Sequence, residues 1–366
     1  MAQPLSRLLE AEPFSIAMAE KEGVMTRGLL ELTGHHRDRC GPYARMLDAW
    51  RGPGAGWGSR DLGTTEAIAD VPYLPADVFR TLELRSIAED DVFKVMTSSG
   101  STNRIPSTIY LDVETARLQA RALSSIVAHF LGGARRPMLI IDHPDVLRDR
   151  RRFSARAAGI LGMMTFGRDH EYALDEDMRV DRARVEAWIA ANEGVDLLVF
   201  GFTFMVWQDF LLPLRDLGLD LSRATLVHSG GWKRLVDLAV SRGDFRLALE
   251  EAFGITDVHD FYGMVEQVGS IYMECEAGYF HAPNFADIIV RDEQTWTPMP
   301  TGESGVIEVV SLLPRSYPGH AILTQDRGRV LGVDDCPCGR LGRRFRTEGR
   351  VPRAEIRGCS DTQVRH

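Results

Sequence analysis

The sequence predicts an α/β protein: layered, mostly parallel sheets flanked by helices, with a smaller β-rich lobe. Three observations lead there. Short, solidly apolar runs alternate with helical stretches, as strands buried on both faces do: Pro137-Met138-Leu139-Ile140-Ile141, Asp196-Leu197-Leu198-Val199-Phe200 and Ala224-Thr225-Leu226-Val227-His228. Beyond Ile288 the helical period gives way to β-like runs with turns, at Ile288–Val290, Val306–Val310 and Ala321–Leu323. The length, 366 residues with 44% apolar and 26% charged side chains, suits two units or one large unit with a minor lobe and excludes wholesale disorder.

Taken in order, residues 1–90 read as a helical and irregular segment. Leu29–Leu32 and Tyr43–Leu47 are short amphipathic pieces, bounded by the turn Gly52-Pro53-Gly54. Residues 91–285 form the α/β core. Val95-Met96 leads into the polar run Thr97-Ser98-Ser99-Gly100-Ser101-Thr102, and Ser107–Leu111 alternates as a strand does. Asp112 is placed to cap a helix from Val113 to about Leu131. Residues 286–366 form the β-rich lobe and a short tail.

Charge and cysteine usage narrow the function classes. Forty-three basic against fifty-two acidic residues give a net charge of −9, which argues against non-specific binding to nucleic acid or anionic lipid. The longest apolar run, Leu197 to Trp207, falls well short of the roughly 20 residues a bilayer span needs. The first thirty residues carry Glu10, Glu12, Glu20 and Glu22 and no long apolar stretch, so a cytoplasmic protein without a signal peptide is expected. Five cysteines, at 40, 275, 336, 338 and 359, are an odd number with two split by a single proline, a poor disulfide framework.

The segment from 97 to 107 packs hydroxyls and a glycine between two strands. Backbone N–H groups and hydroxyls in such a loop can surround polyphosphate oxygens, although no Gly-Lys-Ser/Thr closes it as in a Walker loop. An ordinary polar hairpin has the same composition. Other segments bear on the choice. Thr97 to Thr102, with Pro106-Ser107 beyond, resembles the phosphate loop of the adenylate-forming superfamily, which activates carboxylic acids with ATP. Val71-Pro72-Tyr73-Leu74-Pro75 and Phe79-Arg80-Thr81 look like the approach to that loop in bacterial acyl-protein synthetases of the LuxE family. Phe261-Tyr262-Gly263-Met264-Val265-Glu266-Gln267 is similar to the superfamily's Tyr-Gly-x-Thr-Glu segment. His228-Ser229-Gly230-Gly231-Trp232-Lys233 resembles the LuxE-type Gly-Gly-Trp-Lys turn, and Arg357-Gly358-Cys359-Ser360-Asp361 its cysteine-bearing tail. The resemblance runs from about residue 70 onward in unbroken order, and it implies the core fold of an adenylate-forming enzyme, with residues 91–285 binding nucleotide.

Activating a carboxylate sets one anion to attack the α-phosphorus of another, so cations and N–H donors must offset the charge. The resemblance assigns Mg²⁺ to Glu266 and the triphosphate to Ser98, Ser99, Gly100, Ser101 and Thr102. Tyr262, with Gly263, would pack near the adenine, and Gly230 and Gly231 would let the backbone approach the nucleotide. Asp326 stands at the family's ribose-binding Asp, and Arg350 where a hinge arginine is expected. Asn103 replaces a usual glycine, Ser107 falls where many members carry a lysine, and Val265 replaces a threonine; these departures shift weight onto Arg104, Lys233 and Mg²⁺. Sixteen residues come after Arg350, where ordinary superfamily members continue for roughly a hundred residues into a mobile lobe with a catalytic lysine.

Cys359 matches the acyl-carrying cysteine of the family. A thiolate attacks an acyl-adenylate readily, and Arg353 and Arg357 would favour that thiolate; an exposed tail cysteine is the plain alternative. Catalytic roles are therefore expected for Glu266, Cys359 and Lys233. Cys275, His281, Cys336 and Cys338 make up the Cys₃His set of a closed, structural zinc site, an arrangement also resembling that of phenylacetate–coenzyme A ligase-like enzymes; two unrelated pairs of reduced thiols are the alternative. Phe200, Gly201 and Phe202 suit an acyl pocket, with Gly201 leaving room, although aromatic residues on a strand usually belong to a core. His143, just past a strand end, reads as a capping residue. The expected function is ATP-dependent activation of a carboxylic acid and transfer of the acyl group to Cys359 or to a thiol of an acceptor, carrier or reductase partner. An acyl-CoA or amide ligase with an external acceptor, and a non-catalytic nucleotide-binding scaffold, are the alternatives.

Overall fold

The computed structural model describes residues 3–49, 67–98, 105–147, 155–231 and 240–351. Ser99, Gly100, Ser101, Thr102, Lys233 and Cys359, with Gly52-Pro53-Gly54, Asn103, Arg104, Trp232, Arg353 and Arg357, lie outside the described residues. The described residues fall into two compact units, one of 3–129 with 263–351 and the other of 130–262.

The first unit differs from a division by composition at 90 and 285, because packing joins the N-terminal segment to the β-rich lobe. Its early strands are β1 (Leu74–Pro75), β2 (Lys94–Thr97) and β3 (Thr108–Leu111). The helix Met18–Arg39 is one long element in place of the short piece expected at 29–32. Lys21, Thr26, Thr33 and His36 are buried among its apolar residues, so several of its faces are covered and no clean apolar stripe survives in the sequence. Met18 N donates to Asp334 Oδ2 at 2.9 Å and Lys21 Nζ to Pro283 O at 2.9 Å, tying this helix to the other end of the chain.

The second unit is the parallel sheet the apolar runs anticipate: β4 (Arg136–Ile140), β5 (Gly167–Tyr172), β6 (Leu197–Phe202), β7 (Ala224–Ser229) and β8 (Asp257–Tyr262). Their order is β5-β4-β6-β7-β8, all pairs parallel. All six residues of β6 are buried. The helix Arg182–Ala191 starts on Asp181, whose side chain accepts from Arg184 N, and Arg242–Phe253 starts on Ser241, which accepts from Asp244 N.

The first unit resumes with β9 (Tyr272–Glu274), β10 (Phe280–His281), β11 (Ala286–Arg291), β12 (Gly305–Ser311), β13 (Ala321–Val333) and β14 (Arg343–Arg350), in the antiparallel order β11-β12-β13-β14-β10-β9. β1 adds to β13 in parallel, Leu74 opposite Ile322. β13 runs well past the apolar Ala321–Leu323; its second half alternates charged and buried residues with a register shift at Val330/Gly332, which hides a strand from a reading based on apolar runs. The helix Val113–Leu131 spans the residues expected, and Thr115 N donates to Asp112 Oδ1 at 2.7 Å, the anticipated cap. No helix among the described residues is long and apolar enough to cross a membrane.

Candidate functional site

In the first unit β2 and β3 form a hairpin with Thr97 opposite Thr108. Ser98 N donates to Ser107 O at 3.0 Å, and Ser107 N donates to Ser98 Oγ at 2.8 Å, closing the base of the polar loop. Glu266 sits in the 3₁₀ turn Val265–Gln267, which packs against β3 and brings the carboxylate to this hairpin. Glu266 is only 7% exposed. Burial pushes its carboxyl pKa up, against the hydrogen bond from Ser107 and the charge of nearby Arg80, and with the charge of Asp77. A buried carboxylate of this kind is stabilised in its ionised form by a cation. Arg80 and Asp77, its charged neighbours, lie 3.2 Å apart, and only the tertiary structure brings them to Glu266.

Asp326 and Arg350 are directly opposed on β13 and β14, with Arg350 Nε 3.4 Å from Asp326 Oδ1. Both side chains remain partly exposed, so the carboxylate is reachable by hydroxyl groups. Gln325 Nε2 donates to Asp77, which links this strand to the surroundings of Glu266. Four positions expected to serve one site, Ser98, Glu266, Asp326 and Arg350, thus share this unit.

The second unit carries Phe200, Gly201, Phe202, Gly230, Gly231 and Tyr262 at or near the C-terminal ends of its parallel strands, the edge where α/β sheets bind ligands. Gly201 requires a correction: a Cβ there would stand 2.9 Å from Val206 and 3.0 Å from Ile141, so protein side chains already occupy the space it leaves. Phe200 is fully buried and belongs to the core. Phe202 differs, since its ring is the nearest neighbour of the Cβ that Gly230 lacks, 3.8 Å away. Gly230 has φ +82°, a left-handed conformation that glycine adopts without strain. Tyr262 ends β8 half-buried. His143 accepts from Asp145 N at 3.3 Å and caps its turn.

A second centre lies in the first unit. Cys275 comes directly after β9, His281 ends β10, and Cys336 and Cys338 lie just past β13; one donor atom from each lies within 4.8 Å of all the others. Cys275 Sγ is 3.9 Å from Cys336 Sγ, and Cys338 Sγ is 3.4 Å from His281 Nε2. Around tetrahedral zinc, bond lengths of about 2.3 Å to sulfur and about 2.0 Å to nitrogen place donors about 3.8 and about 3.5 Å apart. The donor set fits. The turn Cys275–Phe280 is closed by Gly278 N to Cys275 O at 2.8 Å, and Gly339 N to Cys336 O at 3.0 Å closes the other. Burial lowers His281 to about 4, leaving the neutral imidazole that ligates metals, and raises Cys336 to about 12; Cys338 is lowered despite burial by Arg340 beside it.

Elsewhere the structure gives the adjacent pair His35-His36 a setting that sequence alone did not supply. His36 stacks on His320 with ring centroids 5.1 Å apart; His36 Nδ1 meets Ser86 Oγ at 2.8 Å and His320 Nε2 meets Thr33 Oγ1 at 3.0 Å. Both rings are buried and carry structure.

The family described as acyl-protein synthetase, LuxE, matches residues 5–365 of the chain. A long-chain-fatty-acid–luciferin-component ligase of Aliivibrio fischeri is 23% identical over 275 residues, covering 72% of this chain and 70% of that protein. Its Vibrio harveyi counterpart is 23% identical over 314 residues, covering 81% and 78%. Among solved structures, 2-hydroxyisobutyryl-CoA ligase in the postadenylation state with 2-HIB-AMP is similar with TM-score 0.68 at 16% identity, covering 92% of this chain and 69% of that one. An open conformation of the same ligase, with 2-HIB-AMP and CoA, gives TM-score 0.67 at 16% identity over 93% and 76%. At this identity the structural likeness establishes the fold.

Proposed function

The chain belongs to the acyl-protein synthetase (LuxE) family of acyl-activating ligases, and on that premise we propose how its residues divide the work. A carboxylate oxygen of the acid attacks the α-phosphorus of ATP, and pyrophosphate leaves. A thiolate then attacks the acyl carbon of the resulting mixed anhydride, and AMP leaves. Glu266 would hold Mg²⁺, whose charge offsets that of the triphosphate. Ser98 and the loop it opens, with Ser99, Gly100, Ser101 and Thr102, take the phosphates, and Lys233 adds a cation. Tyr262 packs by the adenine, Asp326 accepts from the ribose hydroxyls with Arg350 steadying it, and Phe202 lines the acyl side. Cys359 is the first acceptor, with a thiol of a partner protein as the alternative destination, and the reaction takes place in the cytoplasm.

The observation that carries this reading is the buried carboxylate of Glu266 beside the base of the hydroxyl-rich hairpin. Ionising it there costs free energy that Ser107 and Arg80 offset in part and that a cation at the same spot would offset further. Separately, Cys275, His281, Cys336 and Cys338 would hold a structural Zn²⁺; four protein ligands leave it no position for water, so it supplies rigidity to the turns after β9 and β13.

The test is pyrophosphate exchange into ATP with Mg²⁺ across acids of different chain length. Long-chain fatty acids come first because the relatives are named for them. Acid-stimulated exchange, together with a mass gain on the intact protein that disappears in Cys359→Ser, is the expected result. Absence of exchange with every acid overturns the adenylation reading. Exchange without acylation of the chain, but with acyl transfer to coenzyme A or an amine, moves the acceptor elsewhere.

A further inference from the structure

At the C-terminal ends of β6, β7 and β8 three polar side chains converge that have no part in the proposed division of work: Thr203, His228 and Asp260. Phe202 is opposite Ser229 in the parallel register, so Thr203 comes alongside Gly230. His228 Nδ1 lies 2.9 Å from Thr203 Oγ1 and 3.7 Å from Asp260 Oδ1, and Arg242 Nη2 lies 3.8 Å from Asp260 Oδ2. Thr203 Oγ1 in turn contacts two carbonyl oxygens, Ser229 O at 3.3 Å and, more closely, Gly230 O. Thr203 and His228 are each only 6% exposed.

Counting protons gives these contacts a direction. A carbonyl oxygen accepts only, and a hydroxyl has one proton, so the Thr203 proton goes to the carbonyl of Gly230. Thr203 Oγ1 must then accept from its remaining partner, and His228 therefore carries its proton on Nδ1. The Asp260 carboxylate on that side of the ring favours the same tautomer. The peptide between Gly230 and Gly231 is planar and trans, with its C=O and N–H pointing in opposite directions. Holding the carbonyl against Thr203 turns the N–H of Gly231 the other way. Gly231 is exposed, and its N–H meets no acceptor among the described residues.

We propose that Asp260, His228 and Thr203 form a positioning relay that fixes this peptide so that the Gly231 N–H donates to an anionic oxygen of the reacting carboxylate–phosphate pair. The inference rests on the adenylation reading. None of the three side chains touches substrate; the group that does is the backbone N–H, which costs nothing to reorganise at the moment of reaction. The left-handed φ of Gly230 and the buried hydroxyl–imidazole pair then share a purpose, holding one peptide plane at an exposed edge of the sheet.

The experiment pairs variants that keep the relay's donors with ones that remove them. Thr203→Ser keeps the hydroxyl and Thr203→Val removes it at equal size; His228→Asn keeps a donor near the Nδ1 position and His228→Phe does not. In acid-dependent ATP–pyrophosphate exchange, Thr203→Val and His228→Phe are expected to lower kcat at least tenfold with the KM for ATP changed less than threefold, while Thr203→Ser and His228→Asn stay within threefold of wild type. A purely structural role predicts that rate losses track losses of Tm across all four, and that result overturns the proposal. So does wild-type exchange in Thr203→Val. Should Thr203→Val fail to fold, the two His228 variants decide alone. Nitrogen-15 NMR of the histidines supplies a readout independent of activity: a His228 ring protonated on Nε2 and bare on Nδ1 sinks the relay whether or not the enzyme exchanges pyrophosphate. Absence of exchange in wild type itself refutes the adenylation reading and, with it, the role given to the Gly231 N–H, leaving the NMR result to judge the hydrogen-bond chain.

Discussion

Replacing Glu266 by Gln separates what a residue does for stability from what it does for chemistry. The side chain is 7% exposed, and burial is the main influence on its carboxyl, pushing the pKa up. Between the titration of an unfolded glutamate and that of the buried one, the native state holds the extra proton. Native stability is therefore greatest below this window and falls as pH rises through it. Glutamine keeps the shape and removes the ionisation, so at pH 7.5 it relieves a net burial cost on the order of 1–2 kcal/mol. For a chain of this size that is a rise in Tm of roughly 1–3 °C, shrinking toward zero below about pH 4, where the carboxyl is protonated in the folded and unfolded chain alike. Catalysis should respond in the opposite sense. Losing a charge that holds Mg²⁺ against the triphosphate is expected to lower exchange by about 10²–10³, the range for removing one electrostatic contributor to a transition state. Differential scanning fluorimetry at pH 4, 6 and 7.5 and ATP–pyrophosphate exchange at saturating Mg²⁺ measure the two effects. A variant that exchanges at wild-type rate, or one that melts several degrees lower, would show that Glu266 is a structural acid and refute the reasoning.

Three further outcomes are expected. Protein purified without chelator should hold close to one zinc per chain by elemental mass spectrometry, and Cys336→Ser should lose the metal with about 4 kcal/mol or more of stability; metal-free wild type with unchanged Tm would dismiss the centre. Asp326→Asn should raise the KM for ATP about tenfold, near 1.4 kcal/mol, while Tm moves by less than about 2 °C, because its partly exposed pairing with Arg350 contributes at most about 1 kcal/mol. The stacked His36 and His320 should make the fold acid-sensitive: burial holds His36 well below its ordinary pKa and His320 down to about 3, so the unfolded chain binds protons that the native rings refuse. Stability is then highest above about pH 6.5 and falls as pH drops below it, for His320 down to about 3, by up to about 1.4 kcal/mol per pH unit for each ring. Denaturant melts from pH 7.5 to 4.5 should flatten in His320→Gln; an unchanged slope would remove the histidine pair from the account.

Local signals carried far in this chain. Asp112 caps the helix Val113–Leu131 because capping needs only a carboxylate and the N–H three residues on. The apolar runs at 137, 196 and 224 became adjacent parallel strands because burial on both faces leaves no polar alternation to misread. The four zinc-type ligands were legible because thiols and an imidazole are few and chemically distinct, so candidates could be grouped without coordinates. What failed to show in the sequence depends on contacts between distant segments. The helix Met18–Arg39 is covered on several sides, and the polar half of β13 is held by β14, so neither advertises itself by periodicity. The space that Gly201 leaves is filled by Val206 and by Ile141 of a distant segment, which the sequence around Gly201 does not disclose.

By itself, then, the sequence determined the types of element, the family and the inventory of chemically able residues, since each is set by side-chain identity and near-neighbour spacing. Only the tertiary structure decided that Glu266 is buried beside the base of a hairpin more than 150 residues earlier, that Asp326 faces Arg350, and that Thr203, His228 and Asp260 align on one peptide. Burial and hydrogen-bond direction belong to pairs of groups brought together by packing, and no single stretch of chain contains both members.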